Sequence, residues 1–178
     1  ERFYNADPTL FKQKYGLENF ILNVGHVGHL RKIVLALIKA LGQIDHPAVI
    51  IGRTIAGDYA DACLREAAKH KHVLLIDGLA NDSEMLASAY AAADTFVLPS
   101  MFETPGIAAL EAALAGAKVV ITPHGGTNEY FVNMAEYVDP HSVDSIRRGI
   151  IKALEAPKND RLREHVRREF LWQRISEK

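Results

Sequence analysis

Phe20-Ile21-Leu22-Asn23-Val24-Gly25, followed by Ile33, Val34, Leu37, Ile38 and Leu41 and halted at Gly42, is the stretch that decides the fold. The opening residues are β-prone and end at glycine, and the later apolar positions recur at helical spacing, so the order is strand, loop, helix. The same order returns with Ala48 to Ile51 closed by Gly52, a helix over 59–70, and Val73 to Ile76 before Gly78. These strands are almost wholly apolar, as strands covered on both faces must be.

Further along, Asn81-Asp82-Ser83-Glu84 reads as a capping box that starts a helix over 85–93, and Thr95 to Leu98 supplies a fourth strand. A helix from Pro105 to Ala115 follows, with Gly116 as its stop. Lys118 to Ile121 makes a fifth strand, and Glu136-Tyr137-Val138 a short sixth before Asp139-Pro140. From His141 onward the pattern is two or three amphipathic helices rich in arginine. The expected fold is α/β: a Rossmann-like, doubly wound parallel sheet of about six strands with helices on both faces. Ligands of such sheets sit beyond the carboxyl ends of the strands.

At 178 residues the chain fits one domain, with 1–18 as a lead-in and 158–178 as C-terminal helices. The formal net charge is −1, so nothing draws the whole molecule to nucleic acid, and an anionic ligand has to be held by a local cluster of donors. Cys63 is the only cysteine, which rules out an intrachain disulfide and points to a cytoplasmic setting. Apolar runs such as Ile33 to Ile38 fall short of the roughly 20 residues a membrane span needs. Glu1 to Phe3 offer no initiator methionine or leader pattern, and the start reads as a cut inside a longer chain.

No Gly-Lys-Ser/Thr occurs, and the loop Asn23-Val24-Gly25-His26-Val27-Gly28 has asparagine where a dinucleotide fingerprint needs its first glycine. This loop is either a plain strand-to-helix turn or, with Arg31 and Lys32 at the next helix start, a grip for a pyrophosphate. The richer stretch is Leu98 to Gly116, in which a strand ends, a loop carries Glu103, and a helix opens at Thr104-Pro105. Unpaired N–H groups and the positive dipole end at a helix start invite an anion, and Gly106 lets it approach the backbone. Glu103 alone also fits as a dipole-complementing acid. Glu111 does not, because its neighbours Ala108, Ala109, Leu110, Ala112, Ala113 and Leu114 mark a buried helix in which a lone carboxylate is costly. The two carboxylates lie roughly 12 Å apart along the helix, a span that a nucleotide diphosphate sugar bridges.

Glu103, seven residues, then Glu111 and Ala-Ala-Leu-Ala-Gly resembles the E-x7-E motif of retaining GT-B glycosyltransferases of the glycosyl transferase group 1 family, glycosyltransferase family 4. Phe20 to Gly25, Ala48 to Arg53, Gly78 to Glu84, Thr122 to Glu129 and Phe170-Leu171-Trp172 extend the resemblance over nearly the whole chain. It implies the C-terminal, donor-binding half of a GT-B fold, inactive by itself, whose N-terminal acceptor domain lies outside this chain. It also implies a donor that is a UDP-, GDP- or ADP-sugar, no required cofactor, and a lipid-linked or glycan acceptor. Carried over by residue, Glu103 sits by the sugar hydroxyls, the amides of Gly106 and Ile107 beside Thr104 and Pro105 near the phosphates, and Glu111 on the ribose. Arg31 or Lys32 neutralises the leaving diphosphate, a role that stabilises charge developing as the bond breaks.

Two departures stand out. The family's Gly-Arg is Gly25-His26 here, and its Lys-Asn or Lys-Gly becomes Arg31-Lys32-Ile33. Gly25, His26, Arg53 and Leu79 are placed to flank the nucleotide, although Arg53 and Leu79 read equally as surface residues. His124-Gly125-Gly126-Thr127-Asn128-Glu129 either lines the ligand or makes a simple turn. His26-x-x-His29 has a metal-like spacing that no cysteine or acid completes, so no metal site is expected. Arg161, Arg163, Arg167, Arg168 and Arg174 form either a solvated helix face or a contact with the inner face of a membrane, and Trp172 packs in the core. Two other functions share these features: a GT-B-shaped nucleotide-sugar epimerase, and a non-catalytic nucleotide-sugar-binding module.

Overall fold

The computed structural model describes residues 2–170. Strands β1 (Phe20–Val24), β2 (Ala48–Ile51), β3 (Val73–Ile76), β4 (Ala93–Leu98), β5 (Lys118–Ile121) and β6 (Glu136–Tyr137) form one sheet in the order β3-β2-β1-β4-β5-β6. Every neighbouring pair is parallel. The expected doubly wound fold is therefore the observed one.

Alternation along the strands builds two cores. Phe20, Leu22, Val49, Ile51, Phe96 and Leu98 face α1 (Thr9–Tyr15), α4 (Glu84–Ala92), α5 (Ile107–Leu114) and α8 (Arg161–Phe170). Ile21, Ala48, Ile50, Val97 and Val120 face α2 (Val34–Leu41), α3 (Asp58–Ala67) and α7 (Val143–Glu155). A short helix, α6 (Thr127–Phe131), follows β5. Among the described residues no helix is long and apolar enough to cross a membrane.

Several local expectations need correction. The lead-in is no bare connector, because α1 buries Phe11 completely against the Tyr15 and Phe20 rings. Helix α4 is capped by Ser83, whose hydroxyl accepts from the Leu86 N–H at 3.2 Å, so Asn81 is not the cap and Leu86 stands where a capping box needs an acid. Ser83→Ala should cost about 1 kcal/mol of stability, read as a lower urea midpoint at unchanged slope. Helix α5 starts at Ile107, two residues after Pro105, because Gly106 first turns the chain through a left-handed conformation at φ 77°. Ile33, expected inside a helix, is also left-handed (φ 57°) and separates a 3-10 turn over Leu30–Lys32 from α2.

The arginines of α8 form a largely solvated face, with Arg161, Arg167 and Arg168 exposed, which also holds the lead-in. Arg163 and Arg167 stack on the Tyr4 ring at 4.0 and 4.2 Å, and the Tyr4 hydroxyl donates to Glu164 at 2.7 Å. Arg168 pairs with Glu169 at 2.7 Å, while Arg161 is exposed. Arg174 and Trp172 lie outside the described residues.

Candidate functional site

In a sheet of this order the strand direction of winding reverses between β1 and β4, and a crevice opens there beyond their carboxyl ends. The β1–β4 ladder stops at Leu22 and Phe96. Past that point the Asn23 side-chain amide donates to the Val97 carbonyl at 2.7 Å, doing with a side chain what the diverging backbones no longer can.

The loops above the sheet are joined in the same order as the strands below. Val27 N–H donates to Arg53 O at 2.9 Å and Ile55 N–H to Val27 O at 2.7 Å, joining the loops after β1 and β2. Met101 N–H donates to Arg31 O at 2.8 Å, joining the loops after β1 and β4. Glu103 N–H donates to His124 O at 3.1 Å and Gly126 N–H to Glu103 O at 2.9 Å, which adds the loop after β5. Glu103 is thereby fixed by backbone on both sides, and preorganised backbone is what charge stabilisation at a reaction centre requires.

Across the crevice, Lys32 Nζ lies 2.6 Å from Glu103 Oε1, and Arg31 Nη1 is 3.6 Å from the same oxygen. Glu103 is only 7% exposed, and these partners face its carboxylate in the crevice. The two cations do different work. Arg31 donates to the Phe102 carbonyl at 2.9 Å and stacks on the Phe102 ring at 5.1 Å, bracing the loop. Lys32 lines a cavity of about 250 Å³ together with Glu103, Thr104, Pro105, Gly106, Ile107 and Ala108. The N–H groups of Gly106, Ile107 and Ala108 donate to no protein acceptor among the described residues, as the first turn of a helix leaves them.

A second cavity, of about 640 Å³, sits over the ends of β1, β2 and β3, where Gly25, His26, Gly52, Arg53, Gly78 and Leu79 line it. The structure thus brings most of the expected residues into two groups, with Gly25, His26, Arg53 and Leu79 lining the larger cavity and the Lys32–Glu103 pair with Thr104 to Ile107 lining the smaller, whereas Arg31 and Glu111 line neither. A third cavity, of about 190 Å³ against Lys118 and Glu136 at the opposite end of the sheet, contains none of them. The His26 and His29 rings meet edge to face at 5.7 Å, and among the described residues no three His, Cys, Asp or Glu side chains gather as a metal cluster.

Glu111 lies one turn beyond Ile107 and Ala108 on the same face of α5 and is half-buried. Burial raises its pKa above the usual carboxylate value, opposed by a hydrogen bond from Tyr90 and by the nearby charge of Arg2. The Tyr90 hydroxyl donates to Glu111 Oε2 at 3.1 Å. Sequence reasoning missed this partner, since Tyr90 sits on α4 amid Ala and Leu with nothing in the spacing to set it apart. It missed Gly125 as well, weighing that loop only as a turn or a ligand lining when its first task is to hold Glu103.

The fold and this arrangement define a Rossmann-like domain whose polar side chains and unpaired helix amides collect at the switch point of the sheet. The family to which it belongs is Glycosyl transferases group 1, whose profile matches residues 9–169. An uncharacterized glycosyltransferase of Methanocaldococcus jannaschii is 34% identical over 153 residues, covering 81% of this chain and 38% of that protein. Sucrose-phosphate synthase from Thermosynechococcus elongatus superposes with a TM-score of 0.80 at 23% identity, covering 99% of this chain and 48% of that one. Anabaena HepE in complex with UDP and glucose superposes with a TM-score of 0.77 at 22% identity, covering 98% of this chain and 53% of the other. The chain therefore spans about two-fifths to a half of the length of these proteins.

Proposed function

We propose that this chain is the C-terminal, donor-binding half of a retaining glycosyltransferase of family 4 that moves a hexosyl group from a nucleotide diphosphate sugar to an acceptor held by a second domain. The observation that carries the reading is the Lys32–Glu103 pair across the switch-point crevice, 2.6 Å apart and beside the unpaired amides of Gly106 and Ile107. A diphosphate at those amides gains backbone donors and the helix dipole. Lys32 then turns from Glu103 to the phosphate, leaving the carboxylate to accept from sugar hydroxyls. No metal or other cofactor is required in this scheme, since fixed cations and amides meet the charge that grows on the leaving oxygen. The nucleotide extends over the larger cavity, with Gly25, His26, Arg53 and Leu79 around it and Glu111 toward the ribose.

Ile33 supports the choice of Lys32 over Arg31 as the phosphate cation. Against the Lys-Asn or Lys-Gly of the motif this chain resembles, it has Lys32-Ile33, and Ile33 adopts the left-handed conformation that asparagine and glycine favour. That backbone turn favours reading Lys32 as the lysine of the motif.

The test is a thermal-shift series with UDP-glucose, GDP-mannose and ADP-glucose. A ligand at a hundred times its Kd stabilises by about 2.7 kcal/mol, enough to resolve. One of the three should raise the midpoint of the wild type and fail to raise that of Glu103→Gln, and the intact enzyme should give a product with the donor's anomeric configuration by proton NMR. No shift with any of the three rejects donor binding, whereas an inverted product rejects retention alone.

A further inference from the structure

We infer that Tyr90 is a positioning residue for Glu111, holding one carboxylate oxygen so that the other is presented to a ribose diol. The inference rests on the reading of Glu111 as the ribose contact.

The Tyr90 ring is completely buried and fixed from two sides, by Phe3 edge-on at 5.4 Å between centroids and by Phe96 at 5.9 Å. Rotation of the ring plane leaves the hydroxyl where it is, at the α4–α5 seam. There it donates to Glu111 Oε2 at 3.1 Å, while Oε1 accepts from no donor among the described residues. Burial raises the pKa of both groups, so each loses solvation by standing in this seam. A phenylalanine–leucine pair would fill the same space without that loss. Packing alone therefore gives no reason for a hydroxyl and a carboxylate to meet here, whereas a carboxylate that must receive a diol in one orientation does. Arg2 acts on Glu111 through its charge while its hydrogen bond goes to the Asn81 carbonyl, and the hydrogen bond that Glu111 accepts comes from Tyr90.

The test is calorimetric titration of the chain with UDP, GDP and ADP and with the 2′,3′-dideoxy counterpart of each. Tyr90→Phe keeps the ring and its contacts with Phe3 and Phe96, and should weaken the preferred ribose diphosphate about fivefold, the loss expected for one oriented hydrogen bond. Its affinity for the dideoxy compound should stay unchanged. In a Glu111→Gln background the same substitution should add nothing further, because Tyr90 acts only through Glu111. Equal weakening of ribose and dideoxy ligands by Tyr90→Phe would mean a purely structural staple between α4 and α5 and would overturn the inference. If Glu111→Gln abolishes ribose discrimination and Tyr90→Phe leaves it intact, the inference alone fails. If Glu111→Gln leaves discrimination intact, or none of the diphosphates binds, the ribose reading fails and the role of Tyr90 goes with it.

Discussion

Gly125→Ala should lower the stability of the chain by roughly 3 kcal/mol, combining left-handed strain with overpacking against a fixed backbone. Gly125 has φ 92°, and a Cβ placed there would stand 2.2 Å from the Glu103 carbonyl oxygen. Neither side can give way cheaply. Gly125 bridges to Glu103 as in a parallel ladder, and Glu103 is bonded through its N–H to His124 and through its carbonyl to Gly126. Gly116→Ala is the matched control, because Gly116 has φ 95° and nothing within 4 Å of the built Cβ. It should lose only the conformational part, about 1 kcal/mol. The difference in urea midpoint between the variants measures the close approach itself, and equal losses would mean that the Gly125–Glu103 contact is not what demands glycine. Donor binding by Gly125→Ala should fall as well, since the displaced backbone is the one that aims the Glu103 carboxylate.

The sheet was legible because its strands are covered on both faces. Ala48–Ile51 and Val73–Ile76 are apolar runs, Lys118–Ile121 is apolar after its lysine, and the structure starts and ends all three strands at those residues. The short helices were not. In α1 only Phe11 is buried, and α6 has five residues, too few for a period to show. Around Thr104-Pro105-Gly106 the sequence misled for a physical reason. Threonine then proline is a common way to cap and start a helix, but here the positive φ of Gly106 delays the start to Ile107. The parts of the site that follow one strand end could be read from residue type. The Lys32–Glu103 and Tyr90–Glu111 pairs could not, because contacts 71 and 21 residues apart leave no periodic trace.

Lys32→Met should cost about 3 kcal/mol of stability, since removing one partner of a buried pair strands the other's charge. The side chains of Lys32 and Glu103 are 17% and 9% exposed, so water restores little of what is lost. Arg31→Met should cost less than about 1 kcal/mol, because Arg31 is 42% exposed and lies a full ångström farther from the same oxygen. The double variant Lys32→Met/Glu103→Gln separates charge from packing. It removes the stranded carboxylate and should recover most of the stability lost by Lys32→Met. It should not recover the thermal shift given by a nucleotide sugar if, as proposed, the ammonium meets the phosphate and the carboxylate meets the sugar, since both are gone. Comparable losses in Lys32→Met and Arg31→Met would mean that the crevice is held by both cations together, and the assignment of the phosphate to Lys32 would lose its energetic support. A double variant as unstable as Lys32→Met would mean that the lysine matters through the packing of its stem. A chain that keeps its ligand-induced shift without either side chain would show that the diphosphate binds elsewhere than beside Gly106.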